Sequence, residues 1–338
     1  MLMPLIYLVG GFILLIKGAD WLVEGASSIA RRLGLSDLMI GLTVVSFGTS
    51  APELIVNIIA SFQGSADIAI GNIVGSNISN TMLILGVTAL ITPLAVQKST
   101  VLKEIPFMLL ASLTLLIMAN DMIVDGYAQS ELSRSDGMAF LGFFIIFIYY
   151  TFGLRNHDVL ENGHTKPKMS MFKAWLLFCT GLVGLGVGGN LAVEGAKAIA
   201  AMLGLSEALI GLTVVALGTS LPELAASIVA ARKGKTDIAI GNIVGSNIFN
   251  IFWILGLSAV IKPLPFRPAL NFDLLVVAGC TALLFFLIHN GGLHHRLLLW
   301  WKQEKDYILN KFEGGVLLAG YIAYTCYIVF RDLFLVVG

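Results

Sequence analysis

The chain has 338 residues, 57% of them hydrophobic and 12% charged, with a mean hydropathy of +0.89. Soluble domains carry about 25% charged residues, so a disordered chain and a single water-soluble core are both excluded, and long apolar blocks point to a polytopic membrane protein. The 21 basic and 21 acidic residues cancel, which excludes the basic footprint of a nucleic-acid binder.

A membrane-spanning helix needs about 20 mostly apolar residues. Ten such blocks follow in chain order, at about 3–27, 37–62, 67–92, 104–119, 138–154, 171–196, 206–231, 237–261, 272–290 and 313–335. The expected fold is therefore all-α, with ten transmembrane helices. The first block lacks a basic n-region and a cleavage motif, so it is expected to stay as the first span. Cys179, Cys280 and Cys326 fall inside apolar blocks and read as membrane packing rather than a disulfide framework or a zinc site. Between the last two blocks, residues 293–312 carry Trp300 and Trp301 amid charges and read as an interfacial amphipathic helix.

Counting loops alternately from the first span puts fifteen Lys and Arg on one side and four on the other, leaving out Lys17 within the first span and Arg331 near the C-terminus. Basic loops stay cytoplasmic, so both termini are expected outside.

The sequence repeats at an offset of 170. Residues 41–86 and 211–256 align without a gap and agree at 30 of 46 positions. Five spans per half is an odd number, so the second half enters the membrane from the opposite face. The expected organisation is a first five-helix repeat over 1–154, a short cytoplasmic linker at 155–170 and a second five-helix repeat over 171–338. Such inverted-topology repeats are a transporter architecture.

The second and seventh blocks carry Gly-Thr-Ser-x-Pro-Glu in mid-span: Gly48 to Glu53 and Gly218 to Glu223. Proline has no N–H and clashes with the carbonyl four residues back, so Pro52 and Pro222 should break each helix and free carbonyls of the Thr turn. In lipid those groups need a partner, and a bound cation would serve. Glu53 and Glu223 are costly in the bilayer, about 2.5–3.5 kcal/mol each, so matched copies should have a use. Ser46, Thr49, Ser50, Glu53 and Asn57 share one helix face; the second copy has Thr219, Ser220, Glu223 and Ser227, with Ala216 in place of the first serine.

The third and eighth blocks add stripes spaced by four, Asn72, Ser76 and Asn80, then Asn242, Ser246 and Asn250, beside the GxxxG pairs Gly71/Gly75 and Gly241/Gly245. Asn72 and Asn242 read as interhelical glue. Ser76, Asn80, Ser246 and Asn250 read as part of a site with the glutamates. Every donor is an oxygen, which suits Ca²⁺, Mg²⁺ or Na⁺ rather than zinc or copper. Two ionised carboxylates neutralise one divalent ion.

The paired GTS-x-PE and GN-x-x-GSN-x-x-N segments resemble the α-repeats of the cation/calcium exchanger superfamily, and within it the prokaryotic sodium/calcium exchangers. The resemblance implies antiport of Ca²⁺ against Na⁺ by alternating access, with those ions as substrates, the lipid bilayer as the surroundings, and no cofactor or obligate protein partner. It implies Glu53 and Glu223 as the central carboxylates and Thr49 and Thr219 as carbonyl donors. Ser50, Ser220, Ser76 and Ser246, with the carbonyls of Ser46 and Ala216, would line flanking sodium sites, and Asn80 and Asn250 would complete the middle. The first and sixth spans would slide as a gating pair. Asn250 stands where many sodium/calcium exchangers carry Asp, so the site has two acids instead of three. The proton-coupled branch is the alternative, and potassium cotransport is disfavoured.

Three other readings carry less. A cation channel shares the ligands, but the inverted repeat argues against it. No GxSxG or HExxH motif supports an enzyme. Of the remaining charges, Lys17 and Asp20 read as a snorkelling ion pair, Glu24 and Glu194 as span-end residues, and Asp67 and Asp237 as helix N-caps.

Overall fold

The computed structural model describes residues 2–153, 169–203, 218–289 and 307–337. Its helices are α1 (Leu2–Leu33), α2 (Asp37–Thr49), α3 (Ala51–Gln63), α4 (Ala66–Ile91), α5 (Thr100–Met118), α6 (Arg134–Gly153), α7 (Met171–Met202), α8 (Leu221–Arg232), α9 (Thr236–Ile261), α10 (Pro268–His289) and α11 (Lys311–Val337). Eight of these are long and apolar enough to cross a membrane, and the bent pair α2–α3 makes a ninth candidate span. The start of the 206–231 block, with Ala216, lies outside the described residues, as do most of the 155–170 linker and all but the end of the 293–312 segment. Large apolar side chains such as Ile13, Ile55, Ile145, Leu275 and Phe286 are more than half exposed on the outer helix faces, as a lipid-facing surface requires.

Local sequence explains the helix ends. Ser36 caps α2, its hydroxyl accepting the Met39 N–H at 3.1 Å. Gly64 ends α3 in the left-handed region at φ 74°, with its N–H turned back to the carbonyls of Ala60 and Ser61. Asp67 and Asp237 are not caps. Each sits inside the first turn of its helix, where a negative charge meets the positive end of the helix dipole. There Asp67 pairs with Arg267 at 2.9 Å and Asp237 accepts from Gln97 at 2.8 Å. Positions 97 and 267 are themselves related by the repeat offset.

α1 and α7 form the most extensive helix pair. They run antiparallel and meet through glycines spaced by seven, Gly11, Gly18 and Gly25 against Gly181, Gly188 and Gly195. A Cβ on Gly18, Gly25, Gly181, Gly188 or Gly195 would lie 2.5–2.8 Å from a backbone nitrogen of the opposite helix, so only glycine permits this approach. α9 likewise lies against α2 through Gly241 and Gly245, whose Cβ positions fall 2.9 Å from the Leu38 carbonyl and 2.6 Å from the Leu42 carbonyl. On the opposite side, Phe252 of α9 packs among Phe107, Phe140 and Phe143, with ring centroids 5.3–5.8 Å apart.

Two features have no periodic sequence signal. β1 (Leu94–Ala95), after α4, pairs antiparallel with β4 (Ile308–Leu309), before α11. β2 (Glu131–Leu132), before α6, pairs antiparallel with β3 (Leu264–Pro265), after α9. Each two-residue ladder ties a loop of one half to a loop of the other, with Leu94, Leu132, Leu264 and Leu309 buried beneath.

The charges of α1 and α7 differ from expectation in one case. Asp20 pairs with Lys233 at 2.6 Å, across to the end of α8, rather than with Lys17. A helix-to-helix partner is available there because Lys233 follows Arg232 at the C-terminus of α8. Glu194 pairs with Lys197 one turn on at 2.9 Å, exposed on the helix surface.

Candidate cation site

The expected break is present. α2 stops at Thr49, and α3 leaves at 48° to it, with the turn made at Ser50 (φ −82°, ψ 8°). Pro52 sits in the first turn of α3 and Pro222 in the first turn of α8, where a missing N–H costs nothing within the new helix. Glu53 and Glu223 therefore open their helices. Both are 1% exposed, and they face the same buried region. α7 packs over both Gly-Thr-Ser segments: its Leu182 and Val193 side chains occupy the space that a Cβ on Gly48 and Gly218 would take.

The hydroxyls around the acids come from both halves. Ser76 donates to Glu53 Oε1 at 3.2 Å within the first half. Ser50 donates to Glu223 Oε1 at 3.1 Å from the first half to the second, and Thr219 of the second half lies beside Glu53. Each carboxylate thus has one oxygen held by a serine. The other oxygens, Glu53 Oε2 and Glu223 Oε2, are buried without a hydrogen-bond partner among the described residues.

The amides behave alike. Asn80 and Asn250 are each 1% exposed, and each lies where its helix widens into a π-type turn, over Ser79–Ile84 in α4 and Phe249–Leu255 in α9. Such widening inside a helix is frequent at functional sites. Both amide nitrogens are used: Asn80 Nδ2 donates to Asn247 Oδ1 at 3.0 Å, and Asn250 Nδ2 donates to Asn77 Oδ1 at 2.9 Å. Among the described residues, both amide oxygens are left without a donor, as are the hydroxyl oxygens of Ser220 and Ser246. Six buried oxygens without partners, matched in pairs for the two glutamates and the two asparagines, are a costly arrangement. A hard cation is the ligand they fit.

Other expected members are placed differently. The Ser46 hydroxyl donates to the Gly41 carbonyl at 2.6 Å and meets the Asn242 carbonyl at 3.0 Å, so it fastens α2 to α9. Its own carbonyl accepts the Ser50 N–H at 2.9 Å and also faces the Thr49 hydroxyl at 3.4 Å. The Thr49 hydroxyl donates to Asn242 Oδ1 at 3.0 Å. Asn72 donates to Asn57 Oδ1 at 2.7 Å, Asn57 to the Ala69 carbonyl at 3.0 Å, and Asn242 to Ser227 Oγ at 3.2 Å. Asn72 and Asn242 act as interhelical glue, as expected, and Asn57, which shares the sequence face of Glu53, does the same. Asn77 and Asn247 were not singled out in the sequence, although both follow the matched Gly-Ser pairs at the same offset.

Comparison with known proteins identifies the family. The family model described as sodium/calcium exchanger protein matches residues 3–153 and 173–330. A putative antiporter, CaxA, of Alkalimonas amylolytica is 38% identical, with 98% of this chain and 100% of that protein covered. The sodium/calcium exchanger MaX1 of Methanosarcina acetivorans is 34% identical over 75% of this chain and 82% of its own. Among solved structures, the sodium-calcium exchanger NCX_Mj superposes with a TM-score of 0.78 at 33% identity, covering 95% of this chain and 97% of that one. With a family model matching residues 3–153 and 173–330 and a relative 38% identical over 98% of its length, this chain belongs to the sodium/calcium exchanger family of multi-pass membrane antiporters.

Proposed function

We propose that the protein exchanges Ca²⁺ for Na⁺ across a prokaryotic inner membrane by alternating access, at a site near the midplane. The observation that carries the reading is the set of unpartnered buried oxygens: Glu53 Oε2, Glu223 Oε2, Asn80 Oδ1 and Asn250 Oδ1. The carboxylates supply two negative charges and take one Ca²⁺. Carbonyls of Thr49 and Thr219 and the hydroxyls of Ser50, Ser220, Ser76 and Ser246, with the carbonyls of Ser46 and Ala216, take Na⁺ on either side. These are hard oxygen donors throughout.

The proposed architecture is ten helices in two inverted five-helix repeats, 1–154 and 171–338, joined by the 155–170 linker, with both termini outside. The antiparallel mating of α1 with α7 through glycines at matched positions supports it, because a twofold axis in the membrane plane relates two such helices. α7 lies over Gly48 and Gly218 of the two Gly-Thr-Ser segments, so the α1–α7 pair would expose the site first to one side and then to the other.

The test is uptake of radioactive Ca²⁺ into proteoliposomes, with Na⁺, H⁺ and K⁺ gradients varied singly. An outward Na⁺ gradient alone should drive accumulation. Uptake that ignores Na⁺ and follows a pH gradient would replace this reading with the proton-coupled alternative. That alternative draws on Asn250, which leaves the site with two acids.

A further inference from the structure

Asn77 and Asn247 lie beside the site without supplying an oxygen to it, and the hydrogen bonds they make have a fixed polarity. Asn77 Nδ2 donates to the backbone carbonyl of Asn247 at 3.2 Å. A carbonyl can only accept, so the Asn77 amide is held with its nitrogen toward the Asn247 carbonyl and its oxygen toward Asn250, one turn further along α9. Asn250 must then offer its nitrogen, which it does at 2.9 Å. Its own oxygen is forced to the opposite side, where it has no donor.

The second arm runs in the opposite sense. Asn247 Nδ2 donates to Thr81 Oγ1 at 2.8 Å and points at Met108 Sδ at 3.3 Å. A thioether has no proton to give, so this end too must be the nitrogen. Asn247 Oδ1 therefore faces Asn80, whose nitrogen meets it at 3.0 Å and whose oxygen is left bare. All four amides are no more than 1% exposed, so no bulk water competes for either end.

From these contacts we infer that Asn77 and Asn247 are positioning residues. They fix which end of the Asn80 and Asn250 amides faces the cation. An asparagine free to rotate would present a positively polarised N–H₂ to the ion about as readily as its oxygen. The two partners remove that choice before an ion arrives. The inference rests on the proposed cation site.

The test is a mutant cycle in proteoliposomes, read as the KM for Ca²⁺ and the maximal uptake rate. Asn77→Ala in the native background should raise KM by about tenfold, the scale of one lost buried polar interaction, with the maximal rate within about twofold. Asn250→Asp replaces the amide by a group with oxygen at both ends. It needs no orienting partner, and it faces Asn77 Oδ1 with like polarity. Adding Asn77→Ala to Asn250→Asp should therefore lower KM. A residue that only fills space would harm both backgrounds alike, and the same sign in both overturns the proposal. Asn247→Ala with Asn80→Asp makes the corresponding cycle on the other arm. If both alanine variants yield no monodisperse protein while both aspartate variants keep the native KM, Asn77 and Asn247 serve packing alone and the proposal fails. Glu53→Gln separates the two layers. If it transports normally, the site itself is wrong. If it is inactive while the cycle shows no sign reversal, only the positioning role falls.

Discussion

The hydroxyl of Ser50, at the break between α2 and α3, donates to Glu223 Oε1 in the first turn of α8 at 3.1 Å. One half of the chain therefore holds the acid of the other, while Glu223 Oε2 stays bare. A buried carboxylate with one free oxygen weakens the empty protein, since a desolvated charge lacks compensation. It also gives the protein its grip on a cation.

Stability and transport should therefore move in opposite directions on Glu223→Gln. The amide keeps the shape and removes the charge. Thermal unfolding of the purified, ion-free protein should shift upward by the equivalent of about 1–3 kcal/mol, the cost of an uncompensated buried polar group. Ca²⁺ should no longer raise the unfolding temperature, and isotope uptake should be abolished. Glu53→Gln should behave in the same way. A variant that still binds Ca²⁺ and is stabilised by it would show that the carboxylates are not ligands.

Pro52 and Pro222 should show a related trade. Pro52→Ala supplies an N–H that can donate to the Gly48 carbonyl four residues back, so α2 can run on into α3. An alanine within a helix is favoured over proline by about 3 kcal/mol, although Pro52 lies in a first turn and the gain will be a fraction of that. Unfolding temperature should hold or rise, and Ca²⁺ uptake should fall by at least about tenfold, because straightening moves Glu53 relative to Ser76 by more than a hydrogen bond tolerates. Uptake at the native rate would mean that the bend is made by packing rather than by the proline.

Much of this was readable in the chain. The helices α4, α5, α6, α9 and α10 fall within about four residues of the expected blocks, because a run of apolar residues bounded by loops is a strong signal. α1 and α7 run on further, to Leu33 and Met202, since good helix formers, Ala30, Arg31, Arg32 and Leu33 in α1 and Ala198, Ala200 and Ala201 in α7, extend a helix past the apolar stretch. The glutamates, serines and site asparagines were legible because the repeat marks the same positions twice. What stayed hidden depends on three-dimensional approach. A spacing-by-four rule places Asn80 on the stripe of Ser76 but cannot show the π-type turn that begins at Ser79. The two-residue ladders at Leu94 and Leu264 have no period to detect. Ser46 matched the site face, yet its hydroxyl is spent on α9 backbone carbonyls, a choice set by the glycine at 245, which leaves room for it.

The glycines of α1 and α7 give the last prediction. Gly18 meets Leu185 N, and Gly181 meets Leu22 N, at 2.8 Å and 2.5 Å from where a Cβ would stand. Backbone cannot rotate away as a side chain can, so the helices must separate to admit a methyl group. Each separation loosens contacts along the whole seam, because all six glycines share it at a seven-residue spacing. Gly18→Ala and Gly181→Ala should each lower stability by about 1–3 kcal/mol, the usual range for overpacking. Gly10→Ala and Gly186→Ala are the controls. They lie on the same two helices with nothing within 4 Å of the added atom, and should be neutral or stabilising by up to about 1 kcal/mol through helix propensity. Thermal unfolding in one detergent measures all four variants. If the controls fall as far as the seam variants, glycine flexibility rather than close approach is what the pair requires. The contrast is sharp because a helix of ordinary propensity gains from alanine everywhere except where another backbone already occupies the space.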